Sequence, residues 1–116
     1  MGIKEDLEKT LLKLKNINGI EGYALVREDG LPLITNLKPE IDLINLCSSC
    51  ANINQKGKEL ENFDNIIVEY SEGNNLIIKK TDDETLIFCL TSKNANISEI
   101  LQIVKKVSKE CKEILG

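Results

Sequence analysis

The chain begins with apolar residues spaced at the period of an α-helix. Lys, Glu and Asp occupy most of the positions between them. This spacing puts the apolar side chains on one face and predicts a first helix over residues 3–17. The residues that form this face are Ile3, Leu7, Leu11, Leu14 and Ile17.

Two apolar runs around an Asp-Gly pair predict a β-hairpin. Residues 23–26 are apolar at consecutive positions, which indicates a strand covered on both faces. The second strand, residues 31–37, contains Pro32, which cannot donate to a strand ladder and therefore favours a sheet edge. Asp29-Gly30 predicts a type I′ turn, in which both central residues have positive φ.

A second helix is predicted from Pro39, because proline suits the first helical position and the acids that follow favour a helix N-terminus. One face is expected to lie on the sheet. It comprises Leu43, Leu46, Cys47, Cys50, Ile53, Gly57 and Leu60. A milder second flank is a candidate contact surface for another molecule. It comprises Ile41, Ile44, Ser48, Ala51 and Gln55. Gly57 costs about 1 kcal/mol relative to Ala in a helix, and close approach of another backbone would explain it.

The second half of the chain predicts three strands and a final helix. The strands are residues 66–70, 75–79 and 85–91, of which the last is apolar on both faces and is expected at the centre of the sheet. Asn96 to Glu99 resembles a capping box with Asn96 as the N-cap. A third helix then runs from residue 97 to the end.

The predicted order of elements is α-β-β-α-β-β-β-α. Strands with two apolar faces need a layer on each side, so we expect an α/β (α+β) fold. It is a three-layer α/β/α sandwich around a five-stranded, mostly antiparallel sheet. The first and third helices would cover one face and the second helix the other. A length of 116 residues predicts a single domain over residues 1–116.

Charge and composition argue against several classes of partner. The formal net charge is −4, no basic block is present, and aromatic residues make up 3% of the chain. These features disfavour nucleic acid and anionic membrane surfaces. No apolar run reaches the length of about 18 residues that a membrane span needs. The first residues lack the apolar segment of a signal peptide, so the chain is predicted to be cytoplasmic.

The sequence contains little that could carry catalysis. It has no histidine and no glycine-rich phosphate-binding motif, so we predict neither an enzyme nor a cofactor or metal site. The sharpest chemical candidate is the pair Cys47 and Cys50, which could be a redox dithiol or half a zinc site. Its place on the apolar face of the second helix favours buried small residues instead. A ligand- or redox-sensing module that uses this pair remains the alternative.

The apolar residues of the predicted third strand are the strongest indication of a protein partner. Ile66, Ile67 and Val68 are apolar on both faces of the strand, and the strand follows a helix. If it lies at a sheet edge, it exposes unpaired backbone, and pairing with a second copy of itself would remove that edge. If it is internal, no such inference follows. Both interpretations are open from the sequence.

The order of elements resembles that of the roadblock/dynein light chain family over nearly the whole chain. The hairpin carries the resemblance, in the residues Ile17-Asn-Gly-Ile-Glu-Gly-Tyr-Ala-Leu-Val-Arg-Glu-Asp-Gly-Leu-Pro-Leu-Ile. The chain is similar to small, single-domain members of prokaryotic type. Profilin-like and longin-like domains share the same sheet architecture, so the resemblance implies a profilin-like fold.

The resemblance also implies partners. Members form homodimers, or heterodimers with a related roadblock-like chain, through the third strand and the second helix, and they scaffold or regulate small Ras-like GTPases. The expected dimer interface is Ile66, Ile67, Val68, Tyr70, Ile44, Ser48, Ala51 and Gln55. The expected partner-binding residues are Ile41, Asn45, Asn52, Lys56 and Glu59.

The resemblance further implies that bacterial members act as GTPase activators, and this chain departs from that role in its arginine content. Arg27 is the only arginine of the chain, and the second helix has none, so an arginine finger is hard to supply. A dimeric, non-enzymatic adaptor is therefore the leading hypothesis. A purely structural subunit of a larger complex is a further alternative.

Overall fold

A five-stranded antiparallel sheet forms the middle of the molecule, with the strand order β2-β1-β5-β4-β3. The computed structural model describes residues 2–61 and 63–116. The strands are β1 (Ile20–Arg27), β2 (Pro32–Asn36), β3 (Asn65–Glu69), β4 (Asn75–Lys80) and β5 (Thr85–Thr91). The helices are α1 (Ile3–Leu11), α2 (Leu43–Leu60) and α3 (Ile97–Leu115). The predicted order of elements and the central place of β5 are confirmed.

Two apolar layers lie on opposite faces of the sheet. In β1, Tyr23 and Leu25 face α1 and α3, whereas Ala24 and Val26 face α2. This alternation explains why consecutive residues of the strand are apolar, since each face has its own helical cover. The predicted three-layer α/β/α sandwich is confirmed.

The turn of the β1–β2 hairpin differs from the predicted type I′ turn. The Arg27 N–H donates to the Leu31 carbonyl over 2.8 Å, which encloses a three-residue loop. Gly30 has φ +97°, and no non-glycine residue of ranges 2–61 and 63–116 has a positive φ. Three-residue loops that end in a left-handed glycine are the bulged alternative to the type I′ turn. Asp29 favours this loop, because its carboxylate accepts the Leu31 N–H at 3.2 Å.

The first helix is shorter than predicted. It ends at Leu11 and continues as a 3₁₀ turn at Leu12–Leu14, so the prediction of helix to residue 17 is wrong in its last turn. The tighter turn places Leu14 fully inside the core. Ile17 still packs against the α1–α3 layer, although it is not helical.

The second helix begins later than predicted. Its first residue is Leu43, and Asp42 is the N-cap, because the Asp42 carboxylate accepts the Asn45 N–H at 3.1 Å. Proline at position 39 therefore precedes the helix instead of opening it. The side-chain cap explains the difference, since it satisfies an N–H that has no partner within the helix. At α3 the predicted N-cap is confirmed, because Asn96 accepts the Glu99 N–H at 3.2 Å.

Candidate interaction surface

Strand β3 lies at an edge of the sheet. It pairs with β4 on one side, and its other side forms the outer edge. Ile66 and Val68 are half-buried and pack toward α2, while Ile67, on the opposite face, is 42% exposed. Tyr70, just beyond the strand, is 39% exposed. The interpretation of this strand as an edge is confirmed, and the internal placement is wrong.

Helix α2 packs on the sheet with the predicted face, except for its last residue. Its buried residues are Cys47, Cys50, Ala51 and Asn54. Leu60, predicted to be part of the buried stripe, is 88% exposed. Leu43, Leu46 and Ile53 are partly buried against the same apolar layer. Ala51, which was predicted on the second flank, is also buried.

The hairpin turn covers Ala51. A Cβ built on Gly30 would lie 3.4 Å from the Ser48 Cα and 3.7 Å from the Ala51 Cβ, so the turn rests directly on α2. Ala51 is consequently only 6% exposed. Placing Ala51 on a surface for a second molecule is therefore inconsistent with the structure, because the hairpin of its own chain already covers the residue.

Three other residues predicted on the second flank, Ile44, Ser48 and Gln55, are exposed. Ser48 and Gln55 line an open groove of about 420 Å³ together with Glu28 and Asp29. Ile44, on the same flank, is 74% exposed. This groove associates Ser48 and Gln55 with the β1–β2 turn. Ile41, the remaining residue of the flank, lines a different groove together with Tyr70.

A larger groove separates the start of α2 from the β3–β4 turn. Its volume is about 620 Å³. Its lining combines residues predicted for two different roles, since Ile41 and Asn45 were expected to bind a partner and Tyr70 to bind a second copy. Among the described residues, the lining comprises Ile41, Asp42, Asn45, Leu46, Ser49, Ile53, Tyr70, Ser71, Glu72, Asn74, Leu76 and Leu90.

This acidic groove, as we name it, has an apolar floor and a negatively charged rim. Leu46, Leu76 and Leu90 contribute aliphatic surface, and Asp42 and Glu72 contribute carboxylates, whereas its lining contains no lysine or arginine among residues 2–61 and 63–116. The sequence pattern missed Glu72 and Leu90 as site residues. Only the fold brings the β3–β4 turn and the end of β5 beside the start of α2.

The remaining predicted partner-binding residues lie on the outer face of α2. Asn52, Lys56 and Glu59 are all exposed. The Lys56 Nζ lies 3.8 Å from the Glu59 Oε2. A pair of such exposed side chains contributes little to folding, so both groups remain available to a partner.

Gly57 allows a close approach within the chain itself. A Cβ at this position would lie 2.7 Å from the Phe63 Cε1 and 2.9 Å from the Ile66 Cδ1. The neighbours are therefore side chains that belong to the entry into β3. The expectation that Gly57 accommodates a second backbone is wrong.

The cysteine pair is buried against the sheet. Cys47 and Cys50 belong to the apolar layer beneath α2, and the four cysteines are free thiols. Burial raises the pKa of the Cys50 thiol to about 12 and also raises the pKa of the Cys47 thiol. Nucleophilic attack and metal binding both need the thiolate. The interpretation as buried small residues is confirmed, and the geometry gives the sensing alternative no support.

One polar side chain lies within the α2 contact without a visible partner. Asn54 is 2% exposed, and its Oδ1 accepts no hydrogen bond from the part of the chain that the structure describes. Among these described residues, no group of three His, Cys, Asp or Glu side chains could hold a metal ion. Asn54 is thus an isolated feature of the core and does not belong to a chemical cluster.

The only arginine is held at the hairpin turn. The Arg27 Nε donates to the Asp29 Oδ1 over 3.0 Å, and the Arg27 Nη2 pairs with the Asp29 Oδ2. The hydrogen bond from Arg27, aided by the Leu31 N–H, lowers the pKa of the Asp29 carboxyl below its usual value. The guanidinium therefore already has a carboxylate partner on its own turn.

Comparisons with known proteins give the fold a wider context. No protein-family model matches the chain, and no curated protein matches it in sequence. Among solved structures, the gliding protein MglB from Thermus thermophilus has 14% identity and a TM-score of 0.86, covering 98% of this chain and 91% of that one. A Roadblock/LC7 domain from Streptomyces avermitilis has 14% identity and a TM-score of 0.79, covering 88% of this chain and 90% of that one.

The same architecture extends to profilin. Acanthamoeba castellanii profilin IA has 8% identity and a TM-score of 0.64, covering 97% of this chain and 98% of that one. At these identities the likeness establishes the fold. The chain therefore has the roadblock fold, which is profilin-like, as its hairpin residues indicated. None of the described helices combines the length and apolar character needed to cross a membrane.

Proposed function

We propose that this chain is a dimeric, non-enzymatic adaptor that binds a small Ras-like GTPase. The observation that carries the proposal is the open, apolar edge of β3 in a molecule with the fold of Roadblock/LC7 domains. Proteins normally cover, charge or shorten such an edge. Here Ile67 remains 42% exposed on it, which favours its use in assembly.

Pairing of β3 with β3 of a second copy would close the edge. Two copies related by a two-fold axis would form one continuous ten-stranded sheet, because each contributes five strands. The unpaired backbone groups on the outer side of the strand would then be satisfied. The exposed Ile67 side chains of the two copies would lie near the axis and bury each other.

The role proposed toward a GTPase is that of a scaffold. The outer face of α2 presents polar, exposed residues such as Asn52 and Glu59, and the resemblance to the roadblock family connects this helix with GTPase binding. Arg27 is unsuited to act as an arginine finger, because Asp29 holds its guanidinium at the hairpin. An adaptor that holds the GTPase, or changes its nucleotide preference, fits these features better. The cytoplasm is the proposed location.

Calorimetric titration with Ras-like GTPases from the same organism tests this proposal. Each GTPase is loaded with GDP or with a non-hydrolysable GTP analogue, and we expect one of them to bind in at least one state. Asn52→Arg on the outer face of α2 should weaken binding about tenfold or more, by introducing a bulky charge into the contact. Lys9→Glu on α1, in the opposite layer, is the matched control and should bind as the parent chain does.

One result would overturn the adaptor role, and a second would overturn α2 as the contact. The first is the absence of binding by every Ras-like GTPase of the organism in both nucleotide states. The second is equal loss of affinity in the α1 and α2 variants, since that would place the contact away from α2. Both variants concern exposed positions and should leave the free energy of unfolding within about 0.5 kcal/mol of the parent value.

A further inference from the structure

Two surface features of the described chain have no role within one copy. The first is Leu60, an aliphatic side chain that is 88% exposed at the end of α2. The second is the acidic groove of about 620 Å³ at the beginning of the same helix. One feature is an apolar projection and the other an apolar recess. They lie at opposite ends of α2, an arrangement that a two-fold axis can bring together.

We infer that Leu60 of each copy inserts into the acidic groove of the other, with Lys56 beside the carboxylate of Glu72. The inference rests on the proposed dimer and identifies the contact that would dominate its affinity. The occupant of the groove is therefore a second copy of this chain. Each dimer would contain two identical contacts of this kind, because a two-fold interface uses the same patch on both subunits.

The packing of α2 against β3 supports the alignment. Gly57 contacts Ile66 near the start of β3, so Leu60, almost one helical turn later, lies beyond that end of the strand. The acidic groove contains Tyr70, at the other end of β3. If the two β3 strands pair antiparallel about a two-fold axis at Ile67, position 64 of one copy lies opposite position 70 of the other. Leu60, which lies beyond the start of β3, is then level with Tyr70 of the second copy.

Lys56 supplies the charge that complements the acidic groove, whereas Leu60 itself stands between Glu59 and Glu61. The rim of the acidic groove carries Asp42 and Glu72 and is lined by no described lysine or arginine. Lys56 precedes Leu60 by four residues and so shares its side of the helix. The Lys56 side chain is 79% exposed. Its Nζ lies 3.8 Å from the Glu59 Oε2, but such an exposed pair is weak, so Lys56 can exchange this partner for Glu72. Lys58 is less suitable, because its side chain is only 32% exposed and its Nζ lies 3.4 Å from the Glu28 carboxylate.

The polar rim also explains why the chain keeps an exposed leucine beside charged neighbours. A leucine inserted into an aliphatic floor gains by losing contact with water, while the ion pair at the rim sets its orientation. Apolar anchors in a pocket surrounded by polar residues are typical of the residues that dominate binding energy. Leu46 and Leu90 would supply the floor of that pocket.

Sedimentation equilibrium of purified variants tests the inference. Leu60→Ser should weaken self-association about 100-fold, since each dimer loses two buried leucine side chains. The matched control is Leu12→Ser in the 3₁₀ turn after α1, which removes a leucine that is 49% exposed in the opposite layer. It should leave the dissociation constant of the dimer unchanged. Circular dichroism and urea unfolding verify that both variants are folded.

A charge exchange tests the ion pair separately. Glu72→Lys and Lys56→Glu should each weaken the dimer about tenfold, because each places like charges together across the interface. The double variant should recover an affinity within about threefold of the parent, since the pair is restored in reverse.

The outcomes distinguish this contact from the dimer itself. A parent chain that is monomeric at all accessible concentrations overturns the proposed dimer and with it this inference. A dimeric parent whose affinity is insensitive to Leu60→Ser overturns the groove contact but leaves the dimer standing. The charge exchange has its own contrary outcome. If the parent is dimeric and the double variant loses as much binding free energy as the two single variants together, Lys56 does not pair with Glu72.

Discussion

At the scale of single residues, Gly57 shows how α2 is fitted to β3. Its position leaves room for a hydrogen atom only, because the Phe63 ring and the Ile66 methyl group occupy the space that a Cβ would need. The helix tolerates the lower helical propensity of glycine in exchange for this close packing. Gly57 therefore serves the packing of α2 against β3 within one copy.

Replacing Gly57 by leucine should destabilise the fold by about 1–3 kcal/mol, because the larger side chain must displace both neighbours. Urea unfolding measures the change. Gln55→Leu adds the same side chain at an exposed position of the same helix and should shift the free energy of unfolding by less than about 0.5 kcal/mol. Equal stability of the two variants would contradict the close packing at position 57.

At the scale of elements, the two edges of the sheet differ in their protection. Strand β2 begins with Pro32, which has no N–H to donate, and a register shift opposite Leu25 and Val26 bends it. Strand β3 has neither a proline nor a register shift within Asn65–Glu69. An edge that lacks such protection is suited to pairing with another strand. The difference indicates that assembly uses β3.

Substituting Ile67 by lysine should convert the dimer into a monomer. The two side chains would lie close to each other across the axis, where like charges repel and lysine blocks edge pairing. Size-exclusion chromatography with light scattering reads the mass, and twice the 13.0 kDa of one chain is expected for the parent.

The matched control for that variant is Leu33→Lys on the opposite edge strand, where the side chain is 37% exposed. It should remain dimeric. A folded Ile67→Lys dimer, or a monomeric Leu33→Lys chain, would argue against β3 as the interface.

At the scale of the whole molecule, buried thiols contribute to both apolar layers. Cys50 belongs to the layer beneath α2, whereas Cys89 and Cys111 belong to the α1–α3 layer. Burial raises the pKa of Cys50 and Cys89 to about 12 and that of Cys111 to about 11, from an ordinary value of 9.0. The neutral thiol is the form that the folded chain retains.

Stability should therefore fall as the pH rises above 9. Between pH 9 and the folded-state pKa, the unfolded chain loses thiol protons that the folded chain keeps, so each rise in pH favours unfolding. The loss is about 1.4 kcal/mol per thiol for each pH unit in this window, and it is absent below pH 9. Urea unfolding at pH 8 and pH 10 measures it.

The double variant Cys50→Ala/Cys89→Ala is the control for the pH effect. It should lose less stability between the two pH values than the parent does, although it is less stable at both. An identical decline in the two chains would mean that other groups cause it.

Hydrophobic periodicity alone determined the order of elements and the layers. Consecutive apolar residues in β1 and β5 require cover on both faces, and the apolar spacing in the helices requires a sheet beneath them. Pro32 indicated that β2 lies at a sheet edge, because proline has no N–H to donate to a neighbouring strand. The Asn96 cap was likewise readable, because capping depends on residues three positions apart. Local chemistry of this kind does not need the tertiary structure.

Tertiary packing alone decided where the buried face of α2 ends and what its surface offers. The apolar spacing placed Leu60 among the buried residues and Ala51 outside them. In the fold, Gly30 of the hairpin turn lies against Ala51 and covers it, whereas Leu60 at the end of the helix is 88% exposed. Joining the start of α2 with the distant β3–β4 turn creates the acidic groove, because a recess between elements exists only after they pack together.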